Sequence, residues 1–290
     1  MVARLALSLL TLVSLLLTTA AVAAPPVPVT ACGQTLRGPT SYYLTADLIC
    51  TSQVSGLGLE SATLDLRGFT LDCRSVGCLT LRGTRSQVRN GTIRGFMHDA
   101  LVLEGQGGHR VENISTGGVD GTILVSSNDN RLTRVSVTYA VGHPAIAIHG
   151  NDNRLEHSVI DCPGLWANGC VTIDGHGNRV EDVTVTARLT DFSYPYPALL
   201  VQGNDNTIRL STITNLDGPA RLDGPALVVD GRDNRVLANR LSGLPDAIDL
   251  SGGCVANHWR RNLLLTSTAS PACLLQTPSD PSAARTQDDD

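Results

Sequence analysis

The 290-residue chain carries 27 acidic and 22 basic side chains, giving a formal charge of −5, and every basic residue is Arg. A mildly acidic balance gives no support for a nucleic-acid partner. The absence of lysine excludes lysine bases and Schiff-base catalysis.

In chain order, residues 1–24 read as a secretory signal peptide. Arg4 is the basic flank, Leu5 to Leu17 the apolar stretch, and Ala21-Val22-Ala23 the small-residue cleavage site. No later stretch approaches the ~18 apolar residues of a membrane span, so no transmembrane segment is expected. The expected destination is secreted, extracellular or periplasmic. Eight cysteines agree with an oxidising compartment. Sequential pairing is favoured because a stack of coils makes contacts mainly between sequence neighbours: Cys32–Cys50, Cys73–Cys78, Cys162–Cys170 and Cys254–Cys273. Residues 25–54 form a Pro-rich lead and an N-terminal cap.

Residues 55–253 repeat one phrase: an aliphatic strand, a Gly/Asn/Asp turn, then Arg and a second aliphatic strand. Clear copies begin at Ala145, Cys170, Ala198 and Ala226, with others at Ala100 and Thr122. In the copy at Cys170, Val171 and Ile173 alternate with Thr172 and Asp174, the period of a strand with one buried face. Gly175-His176-Gly177-Asn178 supplies a tight turn. Val180, Val183 and Val185 then resume an inward row. Nothing here has the period of an amphipathic helix, and a leucine-rich horseshoe would place its Asn after the strand rather than before it.

Aligned on the turn, Asn130, Asn153, Asn178, Asn206 and Asn234 form a column whose amides can bond from coil to coil. Arg131, Arg154, Arg179, Thr207 and Arg235 form the next column. Asp129, Asp152, Asp205 and Asp233 are the expected partners of those arginines. Both columns read as structural.

These units resemble the right-handed parallel β-helix superfamily, the pectate-lyase-like fold with PbH1-type repeats. The opening Ala31-Cys32-Gly33, the run Tyr43 to Leu48 and the run Leu64 to Leu71 are similar to the start of many exported bacterial β-helix proteins. The expected fold is all-β: one right-handed parallel β-helix solenoid of about nine coils, starting near Ser61 and ending near Ala247, with N- and C-terminal caps. Residues 254–275, with Trp259, form the C-terminal coil and cap, because an open solenoid end exposes both core and strand edge. Residues 276–290 read as a disordered acidic tail. Asn90-Gly91-Thr92 and Asn113-Ile114-Ser115 are glycosylation sequons in a eukaryotic secretory pathway.

Candidate chemistry comes from coincidences between coils. His149 and Asp174 share the position four before the turn Asn on successive coils, and His157 and Asp182 share the position four after it. Each pair could sit one rung apart, with a carboxylate orienting an imidazole. Arg134, beside Glu156 and Asp182, could neutralise a substrate carboxylate. The long loops 138–144, 161–169, 186–197 and 214–225 carry Tyr139, His143, Asp161, Trp166, Asp191, Phe192, Tyr194 and Tyr196, whose aromatic faces suit sugar rings.

Known motifs match poorly. Gly175-His176-Gly177 is similar to the GHG element of polygalacturonases, but the accompanying NTD, DD and RIK elements are missing, and a turn explains the triplet. The DPHD element of mannuronan C5-epimerases has no copy; Met97-His98-Asp99 comes nearest. No cofactor or metal site is expected: the Asp column could take calcium, but the adjacent Arg argues against it. Two functions remain: a non-catalytic surface or glycan-binding scaffold, which is favoured, and a polysaccharide lyase or epimerase acting on an extracellular uronate-containing glycan. Polysaccharide or cell-surface glycan is the expected partner for either; the oligomeric state is left open.

Overall fold

The computed structural model describes residues 24–51, 56–74, 77–95, 99–118, 122–138, 143–163, 169–188, 196–216, 224–251, 255–266 and 269–270. They form an all-β parallel β-solenoid. One sheet has eleven strands, from Thr35–Arg37 to Ala269–Ser270, and the other has sixteen, its main path running from Val27–Val29 to His258–Arg260. The coil starts read at Cys78, Ala100, Thr122, Ala145, Cys170, Ala198, Ala226 and Ala247 each fall at, or one residue before, a strand of the eleven-stranded sheet. Parallel pairing extends that ladder at both ends, into stretches that sequence assigns to the caps. The signal segment up to residue 23, and the tail after residue 270, lie outside the described residues.

The core is a set of aliphatic columns. Leu79, Leu101, Ile123, Ile146, Val171, Leu199 and Leu227 stack in register and are fully buried. Leu132, Leu155, Val180, Ile208 and Val236 form a facing column on the other sheet. Each such side chain contributes roughly 1.5–3 kcal/mol on leaving water. Strand periodicity therefore translates directly into an inward row.

The central coils turn at two corners through a left-handed residue. At the first stand Asp129, Asp152, Gly177, Asp205 and Asp233, with φ of 58, 57, 66, 59 and 58°. At the second stand Asn90, Asn113, Arg134, His157, Asp182, Leu210 and Ala238, with φ between 51 and 59°. This conformation costs a non-glycine residue about 1–2 kcal/mol, and the packed stack offsets it.

The Asn column is a buried ladder, with a correction to its bonding. Its repeating bond runs from side chain to backbone: each Oδ1 accepts the N–H of the preceding coil's ladder residue, at 2.9 Å for Asn130–Asn153 and Asn153–Asn178 and 2.8 Å for Asn178–Asn206. Amide-to-amide bonds join only Asn130 to Asn153 and Asn234 to Asn257 within this ladder. It also runs further than the sequence alignment reached, through His109 and Ser86 at one end and Asn257 at the other. A parallel exposed ladder uses Asn128, Asn151, His176 and Asn204. His176 Nδ1 accepts the Asn204 N–H at 3.0 Å while its own N–H reaches Asn151 Oδ1 at 2.8 Å. Gly175-His176-Gly177 is therefore a turn, as its sequence context indicated.

Three disulfides join the expected partners: Cys32–Cys50, Cys73–Cys78 and Cys162–Cys170. Cys254 and Cys273 lie outside the described residues. Near the last coils the aliphatic pattern yields to buried polar groups. Asp249 accepts from Asn257 Nδ2 and Trp259 Nε1, and Asp246 from the N–H groups of Gly243 and Thr266.

Candidate functional site

His149 and Asp174 are brought one rung apart, with Nδ1 and Oδ2 separated by 3.8 Å and side chains 50% and 69% exposed. That is an ion-pair distance, too long for a hydrogen bond. His157 Nδ1 lies 2.8 Å from Asp182 Oδ2, again with both side chains exposed. The two pairs stand on different corners of the coil, because one precedes the first left-handed turn and the other occupies the second. Arg134, at that second corner, pairs with Glu112 and hydrogen-bonds Asn113 on the coil before. Its partners are thus not Glu156 and Asp182, the neighbours expected from sequence.

Asp161 pairs with Arg188 at 3.2 Å, His143 is exposed, and Tyr196 is half-buried against the core. Tyr139, Trp166, Asp191, Phe192 and Tyr194 lie outside the described residues, as do Met97 and His98. Among the described residues, no group of three or more His, Cys, Asp or Glu side chains is placed to hold a metal.

A concave surface lies elsewhere among the described residues. A groove of about 980 Å³ crosses successive coils beside the first corner. Arg85, Arg110, Arg131, Arg154 and Arg179 line it, with the turn residues Asp129 and Asp152. None of His149, Asp174, His157 and Asp182 does. Its row arises from strand register: Arg110 pairs with Arg131, Arg131 with Arg154, and Arg154 with Arg179. Neighbouring strands are about 4.8 Å apart, so four guanidinium groups are anchored at that interval.

Compensation of this charge is incomplete. Arg131 reaches Glu156 at 2.8 Å, and Arg179 and Arg209 both grip Glu181. No ion pair among the described residues involves Asp129, Asp152, Asp205 or Asp233, so the expected Asp–Arg pairing is corrected to Glu–Arg. The reason is geometric: the Asp residues occupy the left-handed turn, while Glu156 and Glu181 project from the same sheet as the arginines. Burial pushes the Glu181 carboxyl upward, but hydrogen bonds and charge from Arg209 and Arg179 outweigh it and hold the pKa below the ordinary carboxylate value. Arg85, Arg110 and Arg154 form no ion pair with any described residue.

Sequence reading placed the Arg column in the framework and did not connect it to a groove. The missed signal was the position two beyond each arginine: Arg110, Arg131, Arg154 and Arg179 are followed there by Glu112, Thr133, Glu156 and Glu181. Fold and surface together define a parallel β-solenoid scaffold with a cationic row along one groove. No family model, curated protein or solved structure matches the chain, so its class rests on the coils themselves.

Proposed function

We propose that this protein is an exported, non-catalytic scaffold that binds glycans along its coils. One observation carries the reading: the groove is lined by arginines and turn residues, whereas the His–Asp pairs stand outside it on two different, exposed corners. Proton abstraction needs a base, an acid and charge stabilisation within reach of one substrate atom. The pairs instead join one coil to the next, as the other side-chain ladders do. A regular solenoid suits binding because each rung offers the same donors again to a repeating polymer.

A panel of neutral and acidic polysaccharides, assayed for binding by calorimetry and for unsaturated product by ultraviolet absorbance, tests the reading. The expected result is binding without turnover, retained in His149→Ala and His157→Ala. Product release that disappears in either variant would replace the scaffold with a lyase. Localisation of the full chain to the cell exterior or periplasm, with residues 1–24 removed, tests export.

A further inference from the structure

We infer that the second corner of the last coils is a docking surface for an anionic lipid bilayer, with arginines meeting headgroup phosphates and leucines entering the acyl boundary. The inference is independent of the glycan-binding reading and uses none of the residues that line the groove.

Strand register assembles the patch. Arg260 ends the strand His258–Arg260, and Arg261 takes the left-handed corner after it, with φ of 57°. Past the corner, Arg240 and Leu263 are direct register partners, and the Leu265 N–H donates to the Leu241 carbonyl at 2.9 Å. Before the corner, Leu237 pairs with Arg260, and the Leu210 N–H donates to the Leu237 carbonyl at 3.1 Å. Leu210, Ala238 and Arg261 thus occupy the same corner of three successive coils, spaced about 4.8 Å apart. Leu210, Leu263 and Leu265 are 56, 52 and 42% exposed.

The charge around this corner is uncompensated. From residue 224 to 266 the chain has Arg232, Arg235, Arg240, Arg260 and Arg261 against Asp230, Asp233, Asp246 and Asp249. All of these arginines are exposed, and none forms an ion pair with a described residue. Asp246 and Asp249 are buried and accept hydrogen bonds from Gly243, Thr266, Asn257 and Trp259. Asp230 and Asp233 are exposed but stand elsewhere: Asp233 takes the first corner, and Asp230 ends a strand of the other sheet beside Ser251. In the Arg260 column the nearest acid is Glu181, three rungs back and held by Arg179 and Arg209.

Shape and chemistry select the occupant. Small ligands are held in concave sites, whereas a coil corner is convex and meets a flat, deformable surface. Exposed leucines beside arginines are the composition of an interfacial element: guanidinium groups stay at headgroup level while apolar side chains go deeper. The guanidinium fork matches phosphate oxygens through paired hydrogen bonds. Leu210 adds an independent sign, since it holds a strained left-handed backbone while leaving an apolar side chain in water. Two other occupants fit less well. A second copy would bring the same cations to a twofold contact. The acidic segment 279–290 offers Asp280 and Asp288 to Asp290 but no large apolar side chain.

The test uses the full chain in co-sedimentation with vesicles of equimolar phosphatidylcholine and phosphatidylglycerol, and with vesicles of phosphatidylcholine alone. The mixed vesicles should bind at least tenfold more tightly, and less so as salt rises. Each arginine near an anionic surface is worth about fivefold in affinity. Arg260→Gln/Arg261→Gln should therefore lose at least tenfold, with an unchanged midpoint in urea. Leu263→Ser/Leu265→Ser should lose at least threefold at every salt concentration, and Leu210→Asn, which eases the backbone, should also bind more weakly. Arg74→Gln/Arg94→Gln removes two exposed arginines near the other end and should bind as the parent does. Equal binding of both vesicle types, an unchanged Arg260/Arg261 variant, or an equal loss in the Arg74/Arg94 control would overturn the inference. Displacement from vesicles by millimolar inorganic phosphate would also overturn it, assigning the arginines to a free anion. A synthetic peptide of residues 279–290 that binds the parent but not the Arg260/Arg261 variant, with no vesicle binding, would give the corner to the chain's own acidic segment. A solution dimer abolished by Leu263→Ser/Leu265→Ser, again without vesicle binding, would give it to a second copy. Either result overturns the lipid site and leaves the glycan-binding reading untouched.

Discussion

His157 Nδ1 stands 2.8 Å from Asp182 Oδ2, and the two residues hold the same left-handed corner of neighbouring coils, with φ of 51 and 52°. Both the contact and the unusual backbone come from one fact: the sequence period places them at equivalent positions of the repeat. Asn113 donates to Asn90 Oδ1 at 3.0 Å in the same column, so the pair extends a side-chain ladder along an edge. An exposed pair of this type contributes at most about 1 kcal/mol. His157→Ala is therefore expected to shift chemical denaturation by less than about 1 kcal/mol while leaving glycan affinity unchanged. A larger effect on binding than on stability would return His157 to the list of functional residues.

The same column contains a residue poorly suited to its backbone. Leu210 has φ of 54° and is 56% exposed. Asn enters the left-handed region more readily than other non-glycine residues because its short polar side chain bonds locally. Leu210→Asn should stabilise the protein by about 0.5–1 kcal/mol, read as a higher midpoint in urea. A lower midpoint would mean that Leu210 makes an apolar contact worth more than the strain.

The buried ladder is expected to be far less tolerant. Asn206 Oδ1 accepts the Asn178 N–H at 2.8 Å and its Nδ2 donates to the Gly175 carbonyl at 3.0 Å. Asn206→Ala strands a donor and an acceptor in a region without solvent access, each costing about 1–3 kcal/mol. A loss of about 3 kcal/mol in urea denaturation is expected. A loss below about 1 kcal/mol would show that water enters the corner and replaces the amide.

His109 makes the ladder sensitive to pH. It is fully buried, its Nδ1 accepts the Ser86 N–H at 3.1 Å, and its Nε2 lies 2.8 Å from the Glu104 carbonyl oxygen. A neutral ring with its proton on Nε2 satisfies both contacts. Burial lowers its pKa, against smaller upward pulls from the backbone bonds to Glu104 and Ser86. The folded state therefore binds this proton less readily than the unfolded chain does. The stability it contributes is complete above the ordinary histidine pKa of about 6.5 and declines as pH falls below it. Glu181, with its depressed pKa, adds a further loss only as pH falls through the carboxylate range. His109→Asn supplies the side chain that its ladder neighbours use. It should flatten the difference in stability between about pH 7.5 and pH 5.5; an unchanged difference would place the pH response elsewhere.

The Cys162–Cys170 disulfide spans 8 residues of sequence and both sulfur-bearing residues are buried. Closing so short a loop restricts the unfolded chain by about 2–3 kcal/mol. The double variant Cys162→Ala/Cys170→Ala should be less stable by about that amount in urea. A change within about 0.5 kcal/mol would mean that the loop is already constrained when unfolded.

Much of this molecule is legible in sequence because a solenoid converts linear period into contact. Val171, Ile173 and Val180 announce their burial by alternation, and Asn153, Asn178 and Asn206 announce stacking by alignment. The His149–Asp174 and His157–Asp182 adjacencies follow from the same arithmetic. Periodicity does not specify which atom bonds which, so the alignment could not show that each ladder oxygen serves the preceding coil's backbone N–H. Nor could it show His109 and Ser86 as members, since they share the position without sharing the residue type.

Sequence by itself determined the coil, its register and the identity of the residues in each column, and it favoured the pairing found in the three described disulfides. All are nearest-neighbour properties, set by repeat length and side-chain alternation. Only the tertiary structure decided which columns share a surface. It placed the His–Asp pairs on separate corners, turned Glu156 and Glu181 toward the arginines in place of the turn aspartates, and opened a groove beside Arg110 to Arg179. The angle at each corner and the depth between coils depend on left-handed backbone residues and on outward packing, and neither is encoded in the spacing of the repeat.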